Sequence, residues 1–205
     1  MKGVIVVGNN LDASLAKSEC AGAIVIGADK GARYCYQNGI EMDYAVGDFD
    51  SLSSKEKESV LKAAKQVVVL DSVKDDTDTA HALFLLKNCD EVVILGGIAG
   101  RRIEHFLANI DLLCLDSRIC LKDDDSCVRV LEQGKHKIEK GPYRFFSLFA
   151  LRDSLVSLEG FAYPLAKFSL KRFDPLGVSN ELIEQEGIIT LEEGKLLLVC
   201  SKSDS

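Results

Sequence analysis

Short apolar runs recur through the first 123 residues, and each is followed by a stretch with helical spacing. The runs GVIVV (3–7), AIVIG (23–27), YAVG (44–47), QVVVL (66–70) and EVVIL (91–95) predict strands. The last two are apolar without alternation, which predicts strands covered on both faces. Helices are expected over Leu11–Cys20, through Ala32 and Tyr36 to Asn38, along SSKEKESVLKAA, over Thr77–Lys87 and over Arg102–Leu115. Ser53 or Ser54 supplies an N-cap, with acids in the turn that follows. Ala80, Leu83 and Phe84 mark the expected core side of the fourth helix. Ile103, Phe106, Leu107, Ile110 and Leu113 mark that of the fifth. A repeated β–α order predicts an α/β domain over 1–123, with a Rossmann-like, largely parallel sheet and flanking helices.

The pattern changes at DDDS (123–126). Beyond it, short apolar runs alternate with turn signals, and Gly134, Gly141, Gly160, Gly187 and Gly194 punctuate them. Helical periodicity fades. An all-β sandwich domain is expected over 124–205.

Composition narrows the classes. The 205 residues are 47% apolar and 28% charged, as in ordinary globular proteins, and suffice for one large domain or two small ones. The net charge of -7 and the lack of a strongly basic segment argue against a nucleic-acid binder. A basic pocket for a small phosphorylated ligand stays open. The apolar run in MKGVIVVGNN is too short for a signal peptide, and no run suits a membrane helix, so a cytoplasmic protein off the membrane is expected. The seven cysteines form no Cys-x-x-Cys pair and read as small buried hydrophobes.

Three loops carry candidate chemistry. In VGDFDSL (46–52), Asp48 and Asp50 follow a strand without a neighbouring cation. Side chains two apart in an extended segment point the same way, so both carboxylates can converge on a hard divalent ion that also holds phosphates. The pair alone is equally a solvated turn whose acids accept from backbone N–H groups. A second acidic loop, VLDSVKDDTDTAHAL (69–83), follows the next strand with Asp71, Asp75, Asp76 and Asp78 against Lys74. Two such loops at one sheet edge favour a metal–phosphate site. The third, LGGIAGRRIEHFLANI (95–110), joins a strand to a helix through glycines and carries Arg101, Arg102, Glu104 and His105. Exposed N–H groups, a helix N-terminus and arginines suit phosphate. Neither a Walker A loop nor the dinucleotide fingerprint is present. His81 and His105 are general-base candidates that read more readily as ordinary half-buried helix residues, His136 lies in a turn-rich stretch without a signal, and no serine has a nucleophile-elbow context.

Taken in order, these loops resemble the thiamine pyrophosphokinase family. VGDFDSL is similar to its Gly-Asp-x-Asp-Ser loop, KDDTDTAHAL to its Lys-Asp-x-Thr-Asp segment, and GIAGRRIEHFLAN to its glycine turn, Arg-x-Asp-His and Leu-Ala-Asn helix. EGFAYPL (159–165), GVSNE (177–181) and the C-terminal EEGKLLLV extend the likeness over nearly the whole chain. The resemblance implies transfer of the pyrophosphoryl group of ATP to thiamine, with AMP as second product. It implies Mg²⁺ on Asp48, Asp50 and Asp78, and phosphate contacts from Thr77 and Arg102. Glu104 stands where the family has Asp. Asp29 in GADKGA matches an acid near the substrate, and Ser179, Asn180 and Tyr163 would meet thiamine. It also implies a homodimer with active sites between subunits. Asp29 or Asp43 would suit the cationic thiazolium. Arg101, Lys30 and Arg33 depart from the family pattern, and no tryptophan is present to stack on thiamine. Competing readings are a same-fold pyrophosphokinase for another alcohol such as a hydroxymethyl pterin, a non-catalytic sensor of thiamine diphosphate or nucleotide, and a nucleotide-sugar transferase using Asp-x-Asp.

Overall fold

The computed structural model describes residues 1–8, 11–50, 52–71, 77–100 and 102–203. It divides into two compact units, Met1–Asp124 and Asp125–Ser205.

The first unit alternates strands and helices. β1 (Lys2–Val6), β2 (Ile24–Ala28), β3 (Met42–Gly47), β4 (Ala64–Val69), β5 (Glu91–Leu95) and β6 (Ile119–Lys122) form a parallel sheet in the order β6-β5-β1-β2-β3-β4. Between them run α1 (Ala13–Cys20), α2 (Lys30–Asn38), α3 (Ser54–Lys62), α4 (Asp78–Leu85) and α5 (Ile103–Leu115). In β1 the alternate residues Val4 and Val6 pack with α1 and α2 through Ala16, Ala32 and Cys35, while Ile5, of the opposite parity, is equally buried. A sheet lined on both faces needs this unbroken apolar sequence in its central strands. Asp12 caps α1 by accepting from the Ser14 and Leu15 N–H groups. Ser53 caps α3 in a reciprocal capping box with Glu56. Arg33 pairs with that Glu56 at 3.0 Å and ties α2 to α3.

Several expectations need correction. QVVVL is not covered on both faces: β4 is the last strand in the order, and Val67 and Val69 are exposed. EVVIL, in the sheet interior as β5, buries Val92–Leu95 as expected. In α4 the buried side is Thr79 and Ala82, continued by Leu86, and Phe84 is 71% exposed. In α5 only Asn109 and Leu113 are buried, and Ile103 and Leu107 are exposed. None of the described helices is long and apolar enough to cross a membrane.

The second unit is antiparallel β. β7 (Ser126–Leu131), β8 (Gly134–Glu139), β9 (Phe145–Glu159), β10 (Leu165–Leu170), the short β11 (Asn180–Glu181) and β12 (Glu186–Ser201) enclose one core of Phe146, Phe161, Ile189, Leu196 and their neighbours. The 16-residue β12 serves both halves of the unit. Its first part pairs with β8 and the end of β9; its last part pairs with β7 and the start of β9. The register shifts between Leu191 and Leu196. Gly194 sits at that irregularity with φ +96, where a Cβ would stand 2.2 Å from the Ser154 Oγ. Gly187 and Gly194 therefore lie inside one long bulged strand and do not separate two strands.

Candidate active site

Parallel strands bring every carboxyl end in the first unit to one edge. The Asp29 N–H donates to the Val46 carbonyl at 2.8 Å, and the Leu70 N–H to the Gly47 carbonyl at 3.0 Å. The ends of β2, β3 and β4 are thus laced together, with Asp29, the Asp48–Asp50 loop and Asp71 side by side. α4 begins with Thr77 and Asp78 after the chain has left β4 at this edge. Chain order reverses at β1, which lies between β5 and β2. Such a reversal opens a ligand crevice in α/β sheets. There the loops after β1 and β5 touch through glycines: a Cβ on Gly8 would meet the Gly96 carbonyl oxygen at 2.5 Å. Gly8 was not singled out from sequence. A glycine directly after the first strand was the available signal.

The acidic loop answers both sequence readings. The Asp48 Oδ1 accepts from the Asp50 N–H at 3.0 Å, so one acid does shape the turn. Phe49 between them is fully buried at φ +56. Asp29, across Gly47, also has positive φ, at 46. Two non-glycine residues with positive φ at one sheet edge are the kind of strain that clusters at functional sites. The loop does have a cation, from a distance in sequence: the Lys57 Nζ donates to the Asp48 carbonyl at 2.8 Å and lies 5.8 Å from the Phe49 ring centre. That bond goes to the main chain and does not occupy either carboxylate.

Asp43 does not belong to this edge. It stands near the opposite end of β3, four residues and roughly 14 Å before Gly47. Its carboxylate takes the Lys65 Nζ at 2.8 Å and the Val25 N–H at 2.9 Å. Burial raises its pKa, but these two bonds outweigh it and hold the carboxyl below its ordinary range. Asp43 is a strand tie, not a partner for a cationic ring.

Thr77 is the N-cap of α4, its Oγ1 accepting from the Ala80 N–H at 3.2 Å, and Asp78 occupies the first turn. Arg102 is the N-cap residue of α5 and is exposed; its Nε donates to the Glu104 Oε1 at 2.7 Å. That bond holds the Glu104 carboxyl below its ordinary range. A glutamate in place of the shorter acid has the reach to fold back on the arginine two residues before it. The glycine turn is fixed from beneath by buried Asn109, whose Nδ2 donates to the Gly97 carbonyl at 3.2 Å. Lys74, Asp75, Asp76 and Arg101 lie outside the described residues.

Whether a divalent ion fits depends on the donors. Among the described residues no three acidic, histidine or cysteine side chains close on one point. Mg²⁺ does not need that, because it keeps water and takes one or two carboxylates plus substrate phosphates. The Asp48–Asp50 pair supplies hard oxygens of this kind, with the Asp50 N–H bond to Asp48 shaping the turn between them. Three of the thiols do not compete: burial pushes Cys20 up to about 11, and Cys35 and Cys200 to about 12.

In the second unit a largely apolar cavity of about 230 Å³ is lined by Phe146, Leu148, Phe161, Tyr163, Val178 and Asn180, among others. It exceeds the roughly 150 Å³ that admits a benzene. Ser179 lies beside it at φ +60, its N–H donating to the Ser147 Oγ at 3.0 Å. Tyr163 is 71% exposed at the cavity, whereas Asn180 is buried with its amide engaged by main-chain groups of Tyr163.

Comparison with known proteins adds the following. The model for the thiamin pyrophosphokinase catalytic domain matches residues 17–121, and that for the thiamin pyrophosphokinase vitamin B1 binding domain matches residues 135–196. The chain is 33% identical over 184 residues to the thiamine pyrophosphokinase of Bacillus subtilis (strain 168), covering 86% of each. A crystal structure of the Bacillus subtilis thiamine pyrophosphokinase superposes with a TM-score of 0.88 at 31% identity, covering 98% of this chain and 99% of that one. A thiamin pyrophosphokinase family protein from Enterococcus faecalis gives 0.86 at 26% identity, covering 99% of each chain. The yeast enzyme, at 13% identity, gives 0.79 over 98% of this chain and 86% of that one, and shows the shared fold alone.

Proposed function

This chain belongs to the thiamine pyrophosphokinase family, and from that premise we propose how its own residues carry the reaction. The chain is a transferase that moves the pyrophosphoryl group of ATP to the hydroxyl of thiamine. The observation that supports the residue assignment best is the shared edge, where Asp29, Asp48 and Asp50 stand together on strands laced end to end.

Asp48 and Asp50 would hold Mg²⁺, and Asp78, in the first turn of α4, would meet the water shell of the ion. Bound there, the ion neutralises charge on the phosphates and helps align them. The Gly96–Gly100 turn and the N-terminus of α5 receive phosphoryl oxygens through main-chain N–H groups. Arg102 exchanges its bond to Glu104 for one to phosphate, and Glu104 remains close enough to orient it. Thr77 contacts phosphate with its hydroxyl hydrogen, since its oxygen already accepts from Ala80. Asp29 faces the cationic part of thiamine. The apolar cavity of the second unit takes a ring of thiamine, with Tyr163 and Ser179 at its border. A homodimer with active sites between subunits suits the large apolar residues left exposed on each unit, among them Phe84 and Ile103 on the first and Leu176 and Ile183 on the second. A cytoplasmic location completes the proposal.

The test offers thiamine and a hydroxymethyl pterin separately with ATP and Mg²⁺. Turnover of thiamine alone is expected. Turnover of the pterin alone transfers the same machinery to another alcohol, and binding of thiamine diphosphate without turnover of either makes the chain a sensor.

A further inference from the structure

Tyr163 presents a packing problem. The residue is 71% exposed, so burial does little to hold it in place. Its neighbour Pro164 has no N–H, and β10 begins only at Leu165, so the Tyr163 main chain lies outside the strand ladder. Both of its main-chain groups are nevertheless satisfied by one side chain. The Asn180 Oδ1 accepts from the Tyr163 N–H at 3.0 Å, and the Asn180 Nδ2 donates to the Tyr163 carbonyl at 2.9 Å. The same Oδ1 accepts from the Glu181 N–H at 2.9 Å. The Ala162 N–H donates to the Glu181 carbonyl at 2.8 Å, and Phe161 bridges to Leu182. Only a side chain that both donates and accepts can close this pair, which an aspartate cannot do. Asn180 borders the cavity but is only 8% exposed, and its amide is taken up by main-chain groups.

We infer that Asn180 is a positioning residue, a clamp that holds the Tyr163 segment at the cavity so that the tyrosine ring supplies the aromatic face for thiamine. The inference rests on the proposed thiamine-binding role of this face. It gives the chain, which has no tryptophan, an aromatic wall for a cationic heterocycle.

The experiment compares Asn180→Asp, Tyr163→Ala and the double variant by steady-state kinetics and thermal melting. Asn180→Asp keeps the size and an acceptor oxygen but loses the donor. Its KM for thiamine is expected to rise on the order of tenfold, the scale of one cation–aromatic contact, with kcat and the KM for ATP unchanged. Tyr163→Ala, at an exposed site, is expected to show the same rise. The double variant is expected to be no worse than either single one, because both remove one interaction. A wild-type KM in Asn180→Asp overturns the clamp. So does full additivity in the double variant, which makes Asn180 a direct substrate contact. A lower kcat and melting point with unchanged KM also overturns it, leaving the amide purely structural. Failure of the wild-type chain to turn over thiamine overturns the substrate reading and the clamp with it, a result distinct from an active enzyme indifferent to the substitution.

Discussion

Phe49 separates two jobs within one short loop. Its ring enters the core, and the aspartates on either side stay at the edge. The alternation behind this was legible in VGDFDSL, because side chains two apart share a direction. The strain at Phe49 and the Lys57 contact were not, since neither a backbone angle nor a partner one helix away leaves a local mark. Asp43 shows the opposite failure. It lies five residues before Asp48, yet a strand carries it to the far edge, where lysine and main chain claim it. We predict that Asp48→Asn or Asp50→Asn lowers turnover by at least about a hundredfold, the scale of a lost electrostatic stabiliser. The melting temperature should hold, because the amide oxygen introduced by Asp48→Asn still accepts from the Asp50 N–H. Steady-state assays with parallel thermal melts check this, and full activity in either variant would remove the metal assignment.

At the scale of elements, the β–α alternation was readable because each strand and helix carries its own period. Position in the sheet was not. QVVVL and EVVIL look alike, yet one is an edge and the other is buried next to β1. The difference comes from strand order, which depends on crossovers and not on local composition. The faces of α4 and α5 were misjudged for a related reason. Phe84, Ile103 and Leu107 are apolar but stand away from the core of their own unit. Glycines in β12 looked like turns because a bulge and a turn both call for residues without a Cβ. Ile94→Ala in β5 should cost about 2–5 kcal/mol through lost burial and a cavity. Val69→Ser in β4 should stay within about 0.5 kcal/mol, as at ordinary surface positions. Urea denaturation of both variants measures the contrast, and equal costs would contradict the placement of β4 at the edge.

For the whole molecule, two units carry complementary tasks. The first gathers acids, glycines and an arginine at one sheet edge; the second offers an apolar cavity with an aromatic border. If the active site is shared between two copies, dilution below the dimer dissociation constant should lower specific activity in step with the dimer fraction seen by sedimentation. A monomer with full specific activity would place the whole site in one chain. The central claim concerns which bond of ATP is broken, and mass analysis of the products reads it directly. Incubation with ATP, Mg²⁺ and thiamine is expected to yield AMP and thiamine diphosphate in equal amounts. ADP with thiamine monophosphate would mean transfer of a single phosphoryl group, and would contradict the account.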